Sequence, residues 1–226
     1  MTYYKYMKKN HGLRALNYGT FRIGTLYEFQ NIEKHGESIG DLNEGRKHIQ
    51  NDPREQYDYC TPGGAPEFVR SFVNAPNLNN VSIQRCTFTN TYVSPNLYLF
   101  CLTDVLSTTM MEAFEADLVL KIEDINAFGK ALNTSLRKKG NVKPAFESVR
   151  CKYINRSSHY SAFTDTHPAH IKDPSYKYQS EIRLIWTPRK EPIMPEIITS
   201  KAARKYCTLV DHDELQQLYD APRKLL

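Results

Sequence analysis

Ser180-Glu181-Ile182-Arg183-Leu184-Ile185-Trp186 alternates charged and apolar side chains over a stretch too short for an amphipathic helix. Successive side chains of an extended chain point to opposite faces. Ile182, Leu184 and Trp186 therefore share one face, and Glu181 and Arg183 the other. Leu97–Leu102 is continuously apolar, the pattern of a strand buried on both faces. Leu118–Ile122 reads as another strand, and Val149–Ile154 as one with basic residues on its polar face. Asp124 caps a helix whose apolar positions Ile125, Phe128, Leu132 and Leu136 step by three and four residues. Asp104 is expected to cap a helix running to Phe114, with Leu106, Met110 and Phe114 on one stripe. Cys207–Val210 reads as a strand, and Asp211 with Glu214 has the spacing that opens a last helix.

The first half opens with a strand at Tyr3–Tyr6 and a helix from Asn10, its expected N-cap, to Tyr18. Gly19 supplies the stop, and a strand follows at Thr20–Ile23. Residues 30–66 look irregular, with Gly36, Gly40, Gly45 and the breaker cluster Thr61-Pro62-Gly63-Gly64. Beyond a turn at Asn77–Asn80, Val81–Thr89 alternates like a strand. No βαβ rhythm emerges, which favours an α+β class, with peripheral helices and an irregular insertion over residues 30–80.

The chain has 226 residues, enough for a single domain over 1–226 that buries its core without disulfides or metal. Hydrophobic residues make up 40% and charged residues 24%, and the net charge is +5, a mild excess that permits a polyanionic partner. No run approaches the roughly 18 apolar residues of a membrane span, so no membrane partner is expected. The opening Met1–Gly12 has positive charge without an apolar stretch behind it, which points to the cytoplasm. The five cysteines (Cys60, Cys86, Cys101, Cys151, Cys207) form no C-x-x-C pair and read as structural, with Cys101 and Cys151 as small buried hydrophobes.

Charge is uneven along the chain. Lys5, Lys8, Lys9, Arg14 and Arg22 stand in the first 22 residues without a single acid. Eight acids face four cations from Glu28 to Asp58. Residues 134–156 hold seven cations against Glu147 alone. Arg137, Lys138, Lys139, Lys143, Arg150 and Lys152, with Phe146 and Tyr153 interleaved, are the candidate nucleic-acid contacts. A solvated helix end and loop also accounts for Arg137-Lys138-Lys139, since cations are favourable there.

The dinucleotide, P-loop, zincin and G-x-S-x-G hydrolase motifs are all absent. His167 and His170, near Asp165 and Asp173, have the residue types of a metal site. Pro168 breaks the helical spacing that would aim both histidines at one ion, so no metal is assigned.

Three blocks carry a resemblance. The first joins Tyr4-Lys5-Tyr6 to Gly19–Phe29, Ile39-Gly40-Asp41 and Glu44-Gly45. The second is Leu99-Phe100-Cys101-Leu102-Thr103 with Met110–Phe114, and the third is Lys172–Ile185. Their order resembles a widespread family of uncharacterised bacterial and phage proteins with Y-K-Y, G-x-L-R-x-G, F-C-x-[ST] and late E-x-R segments. Met111 stands where that pattern has Trp, Phe114 where it has Tyr, and Tyr176 or Tyr178 where it has the late Trp.

More distantly, the layout is similar to the ADP-ribosyltransferase superfamily, including its toxin and phage-defence branch. That resemblance implies a small split mixed sheet gripping NAD, which is consumed as substrate. It implies Glu181 as the catalytic late-strand acid, Lys5 or Tyr6 as the first-strand contact and Thr103 as the middle-strand hydroxyl. Arg22 and the N-terminal lysines would hold the pyrophosphate and Tyr27 or Tyr6 would stack on a ring, with Arg183 completing the NAD-binding set.

The implied activity is an NAD-dependent ADP-ribosyltransferase, a toxin or anti-phage effector acting on RNA, DNA or protein, with an antitoxin protein as a further partner. Alternatives stay open. E-x-R also fits a solvent-facing polar stripe, and Thr103-Asp104 a simple strand-to-helix cap. The chain also fits a non-catalytic nucleic-acid-binding or regulatory module, or a metal-dependent nuclease using Asp165, His167, His170 and Asp173.

Overall fold

A computed structural model of the protein describes residues 1–36, 39–59, 63–73, 81–162, 164–211 and 214–215. The chain begins β1 (Tyr3–Met7), α1 (Lys9–Tyr18), β2 (Thr20–Thr25), α2 (Ile32–His35), β3 (Arg46–Gln50) and β4 (Gln56–Asp58). It continues α3 (Glu67–Arg70), β5 (Ser82–Gln84), β6 (Thr89–Val93), β7 (Tyr98–Thr103), α4 (Thr108–Ala113) and β8 (Leu118–Ile122). Next come α5 (Ile125–Lys138), β9 (Val142–Arg150), β10 (Lys152–Tyr153), β11 (Ser157–His159) and β12 (Ile171–Lys172). The last elements are β13 (Glu181–Pro188), β14 (Glu196–Thr199), α6 (Lys201–Arg204) and β15 (Cys207–Leu209). The architecture is mixed α+β, with mostly antiparallel sheets and few helices.

The largest sheet has eight strands, and β7 is its branch point. One edge of β7 pairs with β13 along its whole length, from Glu181 opposite Thr103 to Trp186 opposite Tyr98. Its other edge is shared. Tyr98 and Leu99 pair with Thr25 and Gly24 of β2, whereas Thr103 pairs with Tyr4 of β1. Between those partners Phe100, Cys101 and Leu102 face no strand on that edge among the described residues, so the sheet forks there.

Side-chain alternation builds the core on one face of this sheet. Ile182, Leu184 and Trp186 join Phe100, Leu102, Phe21 and Ile23 against Phe128, Leu132 and Leu136 of α5. Phe128 meets Phe21 and Phe100 at ring-centroid distances of 5.4 and 5.5 Å. Asp124 caps α5 by accepting from the Ala127 amide at 2.9 Å, as its position before the apolar stripe requires. Gly12 is buried in α1 because a Cβ there would meet Leu118 at 2.3 Å, which lets the helix settle on β8.

Several elements differ from the sequence reading. The N-cap of α1 is Lys8, without a side-chain hydrogen bond, rather than Asn10; Gly19 takes the left-handed stop with φ +68. Ser107, not Asp104, caps the helix ending near Phe114, by accepting from the Met110 amide at 3.1 Å. Thr103 starts a turn through the Val105 amide, and Asp104 instead accepts from Ser180 and Arg150, each at 2.6 Å. The segment read as irregular holds β3 and β4, whose partners lie beyond it at β6, β11 and β5. The expected strand at Val81–Thr89 breaks at Arg85, which has φ 55, into β5 and β6. The Val149–Ile154 strand breaks at Cys151, whose amide turns to the Glu181 carbonyl.

Cys86, Cys101, Cys151 and Cys207 are free thiols; Cys151 is buried and Cys101 half-buried. Among the described residues no helix is long and apolar enough to cross a membrane. The expectations for Cys60, Thr61-Pro62, the Asn77–Asn80 turn and the last helix past Leu215 lie outside the described residues.

Candidate functional site

The fork in the sheet decides what its residues can do. Backbone carbonyls on an unpaired edge need a donor, and Lys5 supplies one: its Nζ donates to the Cys101 carbonyl at 2.7 Å. The ammonium also lies 5.0 Å from the Phe100 ring centre. Burial lowers the Lys5 pKa, against the attraction of Glu181 nearby. No carboxylate among the described residues forms a salt bridge with this lysine.

On the face of β13 opposite the aromatic core, Glu181 and Arg183 are both buried, at 5% and 1% exposure, so the solvent-facing stripe is excluded. Glu181 Oε1 accepts from Arg183 Nε at 2.7 Å, and its Oε2 accepts from Lys172 Nζ. Arg183 also reaches Glu44 with both terminal nitrogens and donates to the Ala169 carbonyl. Lys172 donates to Gln179 Oε1 and sits 4.9 Å over the Tyr176 ring. Arg156 pairs with Asp41 and stands 4.0 Å from Glu44. Three cations and three carboxylates thus form one buried, charge-balanced network, with every carboxylate facing a cation.

Burial alone would raise the Glu181 carboxyl. The charges and hydrogen bonds of Arg183 and Lys172 outweigh it and hold the group well below the usual carboxylate range. Burial opposes the charge on Lys172 and Arg183 too, and the carboxylates raise both above their ordinary values. Burial pushes the Cys101 thiol up and the Cys151 thiol up to about 12, so neither is a ready nucleophile.

A cavity of about 760 Å³ opens at this fork, within the roughly 300–1,000 Å³ range of small-molecule sites. Glu181, Arg183, Lys172, Lys5, Thr103 and Arg22 line it, together with the aromatic rings of Tyr4, Tyr6, Phe29 and Phe114. A smaller annex of about 240 Å³ shares Lys5, His11, Arg22 and Phe29 with it and adds Arg14; among the described residues its lining includes no carboxylate.

The structure brings most of the sequence candidates together here. Glu181 faces Thr103 across β13 and β7, and Thr103 faces Tyr4 across β7 and β1. Thr103 Oγ1 is already an acceptor for the Val105 amide at 3.0 Å. The Tyr6 hydroxyl is committed to the turn before α4: it donates to the Val105 carbonyl and accepts from the Ser107 amide at 2.8 Å. Burial pushes its pKa up to about 12. Arg22 reaches the cavity while clamped to Glu28 by two bonds of 2.8 Å. Tyr27 lies outside both cavity linings, its hydroxyl donating to the Ser94 carbonyl at 2.7 Å.

The basic segment does not gather into one patch. Arg137 and Lys138 end α5, whereas Arg150 closes the nine-residue β9. Lys139 pairs with Glu196, Arg150 with Asp104, and Lys152 donates to Thr166; Lys143 is exposed. His167 Nδ1 accepts from the Ala169 amide, and His170 contacts Glu147 at 3.3 Å. Among the described residues no group of three or more His, Cys, Asp or Glu side chains is placed to hold a metal ion.

Lys172, Glu44, Gln179, Asp41 and Arg156 were not assigned roles from the sequence. All of these but Arg156 stood in the blocks that carry the resemblance, which was the available signal. Compared with known proteins, the chain matches no family model, no curated protein and no solved structure.

Proposed function

We propose that the protein is an NAD-dependent ADP-ribosyltransferase, built on a split-sheet core of that type. The observation that carries the reading is Glu181, an ionised carboxylate fixed by Arg183 and Lys172 in the wall of a dinucleotide-sized cavity.

Cleaving the bond between nicotinamide and ribose builds positive charge on the sugar, as glycoside hydrolysis does. Nicotinamide leaves with the bonding electron pair, and the acceptor nucleophile adds to the sugar carbon and gives up its proton to water. A carboxylate held beside that carbon stabilises the charge without reorganising. Its low basicity suits this role, and acceptance of a ribose hydroxyl, better than proton abstraction at neutral pH. Each Glu181 oxygen has one partner from the network and retains a second acceptor position.

The remaining lining supports a dinucleotide. Lys5 offers an ammonium with no carboxylate partner among the described residues, matched to a pyrophosphate, and Arg22 joins it in both linings. Phe29 and Phe114 add aromatic surface to the lining, which suits flat rings.

The test is incubation with NAD labelled in its adenylate half, in a mixed cell lysate, followed by nuclease or protease digestion. Label in a macromolecular fraction is the expected result. Absence of both transferred label and released nicotinamide contradicts the reading.

A further inference from the structure

The outer face of α1 has no role in the network just described. His11, Arg14 and Tyr18 stand at i, i+3 and i+7, so they form one stripe along the helix. All three are exposed, Tyr18 to 65%. None of their side chains has a hydrogen-bond or ion-pair partner among the described residues. The stripe starts in the site and leads out of it, because His11 lines both the cavity and the annex and Arg14 lines the annex. The helix belongs to the acid-free opening of the chain; Lys9 at its start is exposed, whereas Lys8 is paired with Glu115.

We propose that this face is the docking surface for the acceptor of the transfer reaction, and that the acceptor is a single-stranded nucleic acid. Its phosphodiester backbone lies along Arg14 and His11, and a base stacks on the Tyr18 ring. Arg14, a cation without an ion-pair partner among the described residues, stands beside the exposed Tyr18 ring, and these are the elements that bind single strands: the charge tracks the backbone, and the ring accepts any base. The position fits as well, since His11 at the start of the stripe lines the same cavity as Glu181. By contrast, Lys139 and Arg150 of the other basic segment are already neutralised by Glu196 and Asp104. The acceptor role rests on the transferase reading; the binding does not.

The experiment is fluorescence anisotropy with labelled mixed-sequence RNA and DNA strands of about twelve nucleotides, over a salt series and without NAD. The double variant Arg14→Glu/Tyr18→Ala is expected to weaken binding by about tenfold or more and to reduce the salt slope by roughly one. Lys138→Glu/Lys143→Glu is expected to leave the affinity within about twofold. The docking surface is overturned if neither strand binds at low salt, or if the second pair of changes abolishes binding while the first does not. The melting-temperature shift with NAD, read on the same samples, separates the two readings. A shift without strand binding removes the docking surface alone. Strand binding without any response to NAD removes the transferase and leaves the docking surface standing.

Discussion

Arg183 grips Glu44 through both terminal guanidinium nitrogens, at 2.9 and 3.0 Å, while its Nε holds Glu181 at 2.7 Å. One arginine thereby ties the turn before β3 to the first residue of β13, 139 and 2 positions away in sequence. The same turn is held by Tyr176, whose hydroxyl donates to the Gly40 carbonyl, and by Gln30, which donates to the Glu44 carbonyl.

Glu44→Ala leaves a buried guanidinium with half its compensation. Breaking such a pair costs about 3–5 kcal/mol, so the urea midpoint should fall sharply. Lys8→Ala, which removes an exposed contact to Glu115, should leave the midpoint nearly unchanged. Equal midpoints for the two variants would contradict the central place of the Arg183 network.

Acid should destabilise the fold through the same residues. Glu181 is held below its unfolded value, so the unfolded chain binds the extra proton between the two values. The stabilisation is therefore complete above about pH 4.3 and is lost as pH falls toward the depressed native value. Asp104 adds in the same direction, chiefly through its hydrogen bond from Arg150. Urea melts across this acid range should show stability falling with pH, with a shallower fall for Glu181→Gln. Parallel curves for the two proteins would contradict the assignment.

Lys5 should be the lysine most readily acylated from within the cavity. Its lowered pKa leaves more free amine at pH 8 than an ordinary lysine has. Trace labelling with acetic anhydride, mapped by mass spectrometry, should modify Lys5 several-fold faster than Lys9, and inorganic pyrophosphate should protect it. Slow labelling, or labelling indifferent to pyrophosphate, would contradict an open anion site at the fork.

Trp186 tests the opposite face of β13. It is fully buried and packs on Phe146 at 5.9 Å between ring centres, and its Nε1 has no hydrogen-bond partner among the described residues. Trp186→Ala should cost about 3–5 kcal/mol by leaving a cavity. Trp186→Phe should cost clearly less, since no indole hydrogen bond is lost. Similar urea midpoints for the two variants would contradict this packing.

Hydrophobic periodicity carried most of what the sequence could say about the fold. Ile182, Leu184 and Trp186 lie in the core as their spacing requires, and α5 starts at Asp124 with its apolar stripe inward. Asp104 misled because a good capping residue is only local information, and Arg150 and Ser180 compete for its carboxylate from distant strands. β3 was illegible because its partners, β6 and β11, are remote in sequence and its own five residues carry no clean alternation.

The site divides in the same way. Glu181, Arg183, Thr103 and Lys5 meet at one cavity, at positions singled out on the strands that fix them. Tyr6 was singled out too, but its hydroxyl serves the turn before α4, and Tyr27 sits outside the lining. Lys172, Glu44, Asp41 and Arg156 were not assigned because charged side chains ordinarily belong at the surface. Only tertiary pairing, such as Arg156 with Asp41, shows where each buried charge finds its opposite.

Release of nicotinamide from NAD by the wild-type protein and by Glu181→Gln tests the central claim most directly. Circular dichroism and an unchanged fold at neutral pH confirm that the variant is comparable. The account predicts measurable release by the wild type and a loss of about a hundredfold or more in the variant, the scale expected when a transition-state charge partner is removed. Undiminished release by a folded Glu181→Gln protein would contradict it, because the cavity would then perform the chemistry without the carboxylate that defines the site.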